Sequence, residues 1–301
     1  VLNSVQRFIF GSGLTFNMML AAYYTQLGLL TTGDIMMIQS LMLQFLTPLF
    51  ILGSMYRSFN DNLIDINKIH AIMRTPASVQ PGNREIDRLK GEIEFKNVGF
   101  RYLNEASNIL EDLSFKVEPG QFVGVVGRSG AGKTSILNLI FRLYDPREGQ
   151  ILLDGEDMKE LSFGFRDSFA FVSQSPYLFN GTVMENLMFG SKESSEEEAI
   201  ELAKRLDLHE TIMELPQQYG TGVGEKGNMF SGGEKQRISL IRALMRRSKV
   251  LLLDEPTSSL DAEMEERVGA LLGELKGTTR VLITHREKIL RYCDKVIRIG
   301  E

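Results

Sequence analysis

The eight residues Gly-Arg-Ser-Gly-Ala-Gly-Lys-Thr at 127–134 follow directly on the apolar run Phe122-Val-Gly-Val-Val126. Behind them Ile136, Leu137, Ile140 and Leu143 recur at helical spacing. A buried strand, a glycine-rich turn and a helix in that order commit this part of the chain to an α/β arrangement, and the turn fits the pattern G-x-x-x-x-G-K-[ST] of a phosphate-binding loop. Gly127, Gly130 and Gly132 let backbone N–H groups converge on phosphate oxygens, while the helix starting near Lys133 presents its positive dipole end. Lys133 would reach the β- and γ-phosphates and Thr134 would ligate Mg²⁺, so ATP and Mg²⁺ are the expected cofactors.

Two later strands carry matching chemistry. The apolar run Val250-Leu-Leu-Leu253 ends in Asp254-Glu255, and Arg280-Val-Leu-Ile-Thr284 ends in His285. An aspartate at a strand end supplies the acidic partner that holds Mg²⁺ in phosphate-loop enzymes. Glu255 then reads as the base that orients and polarises the attacking water. Taken alone, the same pair could cap the turn before Pro256; the phosphate loop upstream favours the catalytic assignment. Ahead of the loop, Glu92 to Tyr102 and Leu113 to Val117 alternate as strands, the second closed by Pro119-Gly120. The acidic tract Glu193 to Glu201 reads as a solvated helix start, and there are no internal repeats.

The N-terminal quarter obeys a different rule. Charged residues make up 24% of the chain, yet none occurs in the 26 positions between Arg7 and Asp34 or in the 22 between Asp34 and Arg57. Each run exceeds the ~20 residues with which a helix crosses a hydrocarbon core of about 30 Å. The joint Leu30-Thr-Thr-Gly-Asp34 is short and polar, which predicts a transmembrane helical hairpin; a pair of buried helices in a soluble protein is the alternative. Arg7 and Arg57 flank the outer ends while the turn carries Asp34, placing both ends on the cytoplasmic or matrix side. Leu63, Ile66, Ile69 and Met73 extend the second helix out of the bilayer, and Pro76, Pro81 and Gly82 mark Thr75 to Lys90 as a linker. The expected domains are 1–74, 75–90 and 91–301. From residue 91 onward there are 27 basic and 34 acidic side chains, a net of −7, which argues against a nucleic-acid partner. The lone Cys293 excludes an internal disulfide, and Val1 in place of Met leads us to expect a missing upstream part.

Phe230-Ser-Gly-Gly-Glu-Lys-Gln236 closely resembles the LSGGQ signature of ABC ATPases and lies between the phosphate loop and the Asp254-Glu255 strand, as that family requires. In order along the chain, Tyr102 resembles the adenine-stacking aromatic, Gln174 the Q-loop, Ser259-Leu260-Asp261 the D-loop and His285 the switch histidine. Singly, Tyr102, Gln174 and His285 have ordinary structural readings; their roles come from the resemblance. It covers residues 91–301 and implies a RecA-like core, an antiparallel β subdomain around 92–120, a helical subdomain from about 176 to 245, and a chain ending before the family's last strands. It implies nucleotide contacts from Tyr102, Gly127, Ser129, Gly130, Ala131, Gly132, Lys133, Thr134 and Ser135. Across a head-to-tail dimer, Ser231, Gly232, Gly233 and Asp261 of a second copy would complete the site. Thr134, Gln174 and Asp254 are assigned to Mg²⁺ and its shell, and Glu255, His285 and Gln174 to hydrolysis.

A membrane hairpin ahead of such an ATPase looks like the last two of six spans of an exporter-type half-transporter, and Thr221-Gly-Val-Gly-Glu-Lys-Gly227 resembles the exporter-specific loop before the signature. The missing spans would carry the cytoplasmic loops that press on the Q-loop region. Leu2-Asn-Ser-Val-Gln6, the 30–34 turn, Pro48 to Arg57 and Leu63 to Asn67 are similar to the mitochondrial half-transporters that support iron–sulfur protein assembly and to their bacterial heavy-metal relatives. In that family the positions matching Asn3 and Gln6 face a glutathione-binding cavity. Asn17 returns to nearly the same helical face, where it could serve the ligand or an interhelical hydrogen bond. Phe50 replaces an expected Asn, Phe230 the usual Leu, and Glu234 the Gln of the signature. The resemblance therefore implies a homodimeric, ATP-driven exporter of a glutathione-linked or sulfur- or metal-containing compound. It would lie in the mitochondrial inner membrane with its ATPase domain in the matrix, or in a bacterial plasma membrane with that domain in the cytoplasm. Export of peptides or lipids, or a non-hydrolysing membrane regulator, are the rival readings.

Overall fold

In a computed structural model the chain divides into two compact units, Val1–Ala77 and Ser78–Glu301. The structure describes residues 2–86, 88–103, 105, 107–191 and 194–300, without the side chains of 2–7, 46, 47, 49, 50, 52, 53, 57 and 226. The side chains of Asn3, Gln6 and Phe50 therefore lie outside the described residues.

The first unit consists of α1 (Leu2–Gln26) and α2 (Thr32–Arg74), which touch each other. The polar joint works as a stop and a start. Gly28 turns left-handed at φ +72° and the Leu29 N–H returns to the Tyr24 carbonyl at 3.0 Å, a glycine-terminated helix end. Thr31 then caps α2: its hydroxyl accepts from the Asp34 N–H at 3.3 Å, and the Asp34 carboxylate accepts from the Thr31 N–H at 2.7 Å. Apolar side chains such as Phe8, Phe16, Met36 and Phe45 are exposed, and Ala21 is the one buried apolar residue among those described in this unit. Asn17 spends its amide N–H on the Gly13 carbonyl of its own helix, at 3.0 Å. Among the described residues, no helix is long and apolar enough to cross a membrane.

In the second unit, β1 (Ile93–Phe100), β2 (Leu110–Val117), β3 (Phe122–Gly127), α3 (Lys133–Ile140), β4 (Glu148–Leu153), β5 (Glu156–Asp157) and β6 (Phe169–Val172) precede a run of helices. These are α4 (Val183–Met188), α5 (Glu196–Arg205), α6 (His209–Met213) and α7 (Gly232–Met245). The chain closes with β7 (Val250–Asp254), α8 (Ala262–Glu274), β8 (Thr279–Ile283), α9 (Glu287–Leu290) and β9 (Lys295–Ile299). An antiparallel sheet of order β2-β1-β4-β5 stands beside a parallel sheet of order β6-β7-β8-β3-β9. The antiparallel part thus extends beyond the stretch expected at 92–120 to include β4 and β5.

Both faces of the parallel sheet are covered, which is why its strands read as continuous apolar runs rather than alternating ones. Leu251, Leu253 and Leu282 join Phe230, Ile238 and Ile241 of the helical region in one core. Val250, Leu252, Val281 and Ile283 point the other way, onto Ile136, Leu137, Ile140 and the apolar face of β1.

The segment marked as a linker is tied to the second unit for much of its length. Asp154 accepts the N–H groups of Lys90, Gly91 and Glu92 at 2.6, 3.0 and 2.7 Å. Gly82 donates to Leu161, Arg84 to Glu160, and the buried Arg142 guanidinium holds the Gln80 carbonyl at 2.7 Å. A Cβ on Gly82 would fall inside the Glu160 carbonyl. Gly82→Val is expected to destabilise this unit by roughly 1–3 kcal/mol, as overpacking does. Thermal unfolding checks this; an unchanged midpoint would mean that the strap carries no load.

Candidate functional site

The phosphate-loop motif, Gln174, Asp254-Glu255 and His285 all follow the carboxyl ends of parallel strands, the edge at which open α/β sheets build their ligand sites. Gly127 ends β3 against β9, where a Cβ would collide with the Ile299 carbonyl. Gly132 sits at φ +86° just before α3, with Ile109 and Leu110 occupying the space a side chain would need. Close packing therefore demands glycine at these two positions. Ser129 is exposed, Ala131 is half-buried and Ser135 is buried.

Lys133 is buried, and its ammonium donates to the Gly127 and Arg128 carbonyls at 3.0 and 2.8 Å. Burial draws its pKa down, with the Glu255 and Asp254 carboxylates pulling it partly back. Asp254 is also buried, and that burial pushes its carboxyl up; Thr134, hydrogen-bonded to it, and Lys133 oppose the shift, while Glu255 adds to it. A buried carboxylate beside a hydroxyl is a hard-oxygen pair of the kind Mg²⁺ takes from protein when phosphates supply other ligands. Among the described residues no cluster of three or more His, Cys, Asp or Glu could hold a metal unaided.

Beside this pair the structure gathers the three residues expected to serve hydrolysis. One Glu255 oxygen accepts from the Gln174 amide at 3.0 Å, and the other lies 3.0 Å from His285 Nε2. The Glu255 backbone is left-handed, at φ +47°. A non-glycine residue in that region is uncommon and is favoured at functional sites by the structure around it. Gln174 meets Glu255 here, and Thr134 meets Asp254.

Tyr102 lies against α3, its hydroxyl 3.1 Å from the Ser135 hydroxyl and its ring edge-on to Phe100 and Tyr144. Ser231 caps α7 in a box with Glu234, whose carboxylate accepts the Ser231 N–H at 2.7 Å and its hydroxyl at 2.8 Å. That S-x-x-E pairing gives the Glu at 234 a structural purpose. Phe230 is buried in the core, so the larger residue at this signature position is accommodated. Gly232 and Gly233 face Ser259 of the same chain. Asp261 caps α8 by accepting the Glu263 and Met264 N–H groups at 3.0 and 2.8 Å, which holds its carboxyl low.

Residues 221–223 of the loop before the signature are stitched to 181–183, with Val183 donating to Thr221 and Val223 to Gly181. Next to this, Phe179 stacks on Phe189 with centroids 4.1 Å apart, and the Arg242 guanidinium lies 5.0 Å over Phe179. Together with exposed Tyr177 they line a cleft of about 270 Å³ just beyond Gln174. Burial lowers the Arg242 pKa to about 10. Sequence reasoning missed this cleft, because its aromatics are scattered through a loop without periodicity. It also missed Arg286, which donates to the Ser258 and Leu260 carbonyls at 3.0 and 2.8 Å and pairs with the buried Glu265. Its place directly after His285 was the available signal.

The ABC transporter family profile matches residues 110–258. The chain is 38% identical over 306 residues to the ABC transporter B family member 24, mitochondrial, of Arabidopsis thaliana, covering 99% of this chain and 45% of that protein. It is 39% identical over 309 residues to the iron-sulfur clusters transporter ATM1, mitochondrial, of Gibberella zeae, covering 100% and 44%. The human iron-sulfur clusters transporter ABCB7, mitochondrial, is 37% identical over 307 residues, covering 100% and 41%. The chain thus spans less than half the length of these relatives. A solved bacterial Atm1-family ABC exporter with ATP bound superposes with a TM-score of 0.72 at 33% identity, covering 99% of this chain and 53% of that one. Residues 110–258 thus match the ABC transporter family, and over its whole length the chain is similar to the Atm1-type ABC exporters.

Proposed function

We propose that this chain supplies the ATP-hydrolysing domain and a membrane hairpin of a dimeric exporter that moves a glutathione-linked or sulfur- or metal-containing compound. The observation that carries the reading is Glu255 held between Gln174 and His285, beside the Thr134–Asp254 pair. Each carboxylate oxygen keeps acceptor capacity after one hydrogen bond, so Glu255 can still orient a water and receive its proton as ATP is attacked. His285 and Gln174 fix the carboxylate from opposite sides. Lys133 neutralises phosphate charge, and Tyr102 offers a ring to the adenine. Thr134 and Asp254, with Gln174 nearby, would hold Mg²⁺, which supplies charge neutralisation at the phosphates when bound.

A second copy would bring Ser231, Gly232, Gly233 and Asp261 to the nucleotide from the start of α7 and the D-loop, so that ATP closes the dimer and hydrolysis opens it. The aromatic cleft beyond Gln174 is the surface on which cytoplasmic loops of the membrane part would press. It lies one short loop from Glu255's partner, which gives a route from ATP to the membrane. The two charge-free runs and the exposed apolar side chains of α1 and α2 support a bilayer-spanning hairpin. The relatives' mitochondrial names favour the mitochondrial inner membrane, with the ATPase domain in the matrix; a bacterial plasma membrane fits the same chemistry.

The cargo assignment is tested with the full-length protein in lipid vesicles. Oxidised glutathione is expected to stimulate ATP hydrolysis several-fold, and Asn3→Ala with Gln6→Ala is expected to remove the stimulation while leaving basal turnover. Stimulation that survives both substitutions, or appears with peptides or lipids instead, contradicts the glutathione reading.

A further inference from the structure

Gln236 lies near the start of α7, five residues after Ser231, and is 1% exposed. A side-chain amide this deeply buried must find hydrogen-bond partners. Its oxygen accepts the Ser259 N–H at 3.0 Å and its nitrogen donates to the Ser258 hydroxyl at 2.6 Å. The same nitrogen lies 3.4 Å from the Glu255 carbonyl and 3.5 Å from the Gln174 carbonyl. One side chain of the signature helix thus reaches the D-loop, the turn that carries Glu255 and the loop that carries Gln174.

That turn needs an external hold. Glu255 is left-handed at φ +47°, and its N–H is anchored to the Ile283 carbonyl at 3.0 Å. Gln236 is the side chain on the carbonyl side of the same residue. The D-loop backbone is gripped from elsewhere by Arg286, through the Ser258 and Leu260 carbonyls. The loop therefore sits between an amide from α7 and a guanidinium from the segment after β8.

We propose that Gln236 is a positioning residue, which ties the seating of α7 to the alignment of the Glu255 carboxylate, so that hydrolysis proceeds at full rate only when the signature helix is in register. The proposal rests on the reading of Glu255 as the hydrolytic base. Gln236 itself touches no reacting atom; its amide acts through the backbone of residues 255–259.

The test is steady-state ATP hydrolysis by the full-length protein in lipid vesicles, with binding of a fluorescent ATP analogue and thermal unfolding measured on the same preparations. Gln236→Leu keeps the approximate volume and removes every polar contact. Gln236→Glu keeps the acceptor for Ser259 and removes the donor to Ser258. Both are expected to lower kcat by roughly 10- to 100-fold, the scale on which a misplaced catalytic group costs rate. The KM for ATP, analogue affinity and unfolding midpoint should stay near wild type. Unchanged kcat in Gln236→Glu overturns the proposal, and so does a kcat loss matched by parallel losses in ATP affinity and unfolding temperature, which marks a merely structural amide. Absence of hydrolysis in the wild type as well overturns the parent reading and this inference with it.

Discussion

Glu255→Gln is expected to abolish steady-state ATP hydrolysis, lowering kcat by about 10²–10⁴-fold, the range general-base catalysis commands, while ATP binding stays within a few-fold of wild type. The substitution changes almost no volume. What it removes is an acceptor: the carboxylate takes one hydrogen bond from the Gln174 amide and faces His285 Nε2 at 3.0 Å on each side. A glutamine there must turn its own NH₂ toward one of these partners or toward the water, and it has no basic oxygen left for the water's proton. The phosphate loop is untouched, so the nucleotide still binds. Phosphate release measured alongside nucleotide retention checks both halves. A variant that hydrolyses ATP at the wild-type rate removes Glu255 from its role.

Lys133→Ala is expected to fail one step earlier. Its ammonium is the buried cation of the loop, held by the Gly127 and Arg128 carbonyls and flanked by Glu255 and Asp254. Burial depresses its pKa, and the neighbouring Glu255 and Asp254 carboxylates pull it partly back. Losing a charge-assisted contact of about 1.5–3 kcal/mol weakens ATP binding by roughly 10- to 100-fold. Hydrolysis falls with it. Titration with a fluorescent ATP analogue separates the two substitutions: binding survives in Glu255→Gln and collapses in Lys133→Ala. Equal affinity in both would place the phosphates elsewhere.

The legibility of this molecule follows from the range of its determinants. The strand–loop–helix at 122–140 and the apolar strands ending in Asp254-Glu255 and at His285 were readable because each is a local pattern whose chemistry needs adjacent residues. The hairpin joint was readable for the same reason, although its capping box and its left-handed Gly28 are finer than hydropathy reveals. The short β4 and β5 were not, because strands of six and two residues, the second at the sheet edge, carry little periodicity. Asp154, which gathers three N–H groups from more than sixty positions upstream, is invisible to any window. Gln236 and Arg286 stood inside or beside stretches already singled out, but their importance lies in backbone partners that only the folded loops bring near.

The most direct measurement of the central claim is phosphate release from ATP by the full-length protein in lipid vesicles, with Mg²⁺ and then with excess chelator, each with and without oxidised glutathione. The account predicts turnover that requires Mg²⁺ and rises with glutathione. ATP that binds but is never cleaved under any of these conditions would contradict it and make the site a nucleotide sensor.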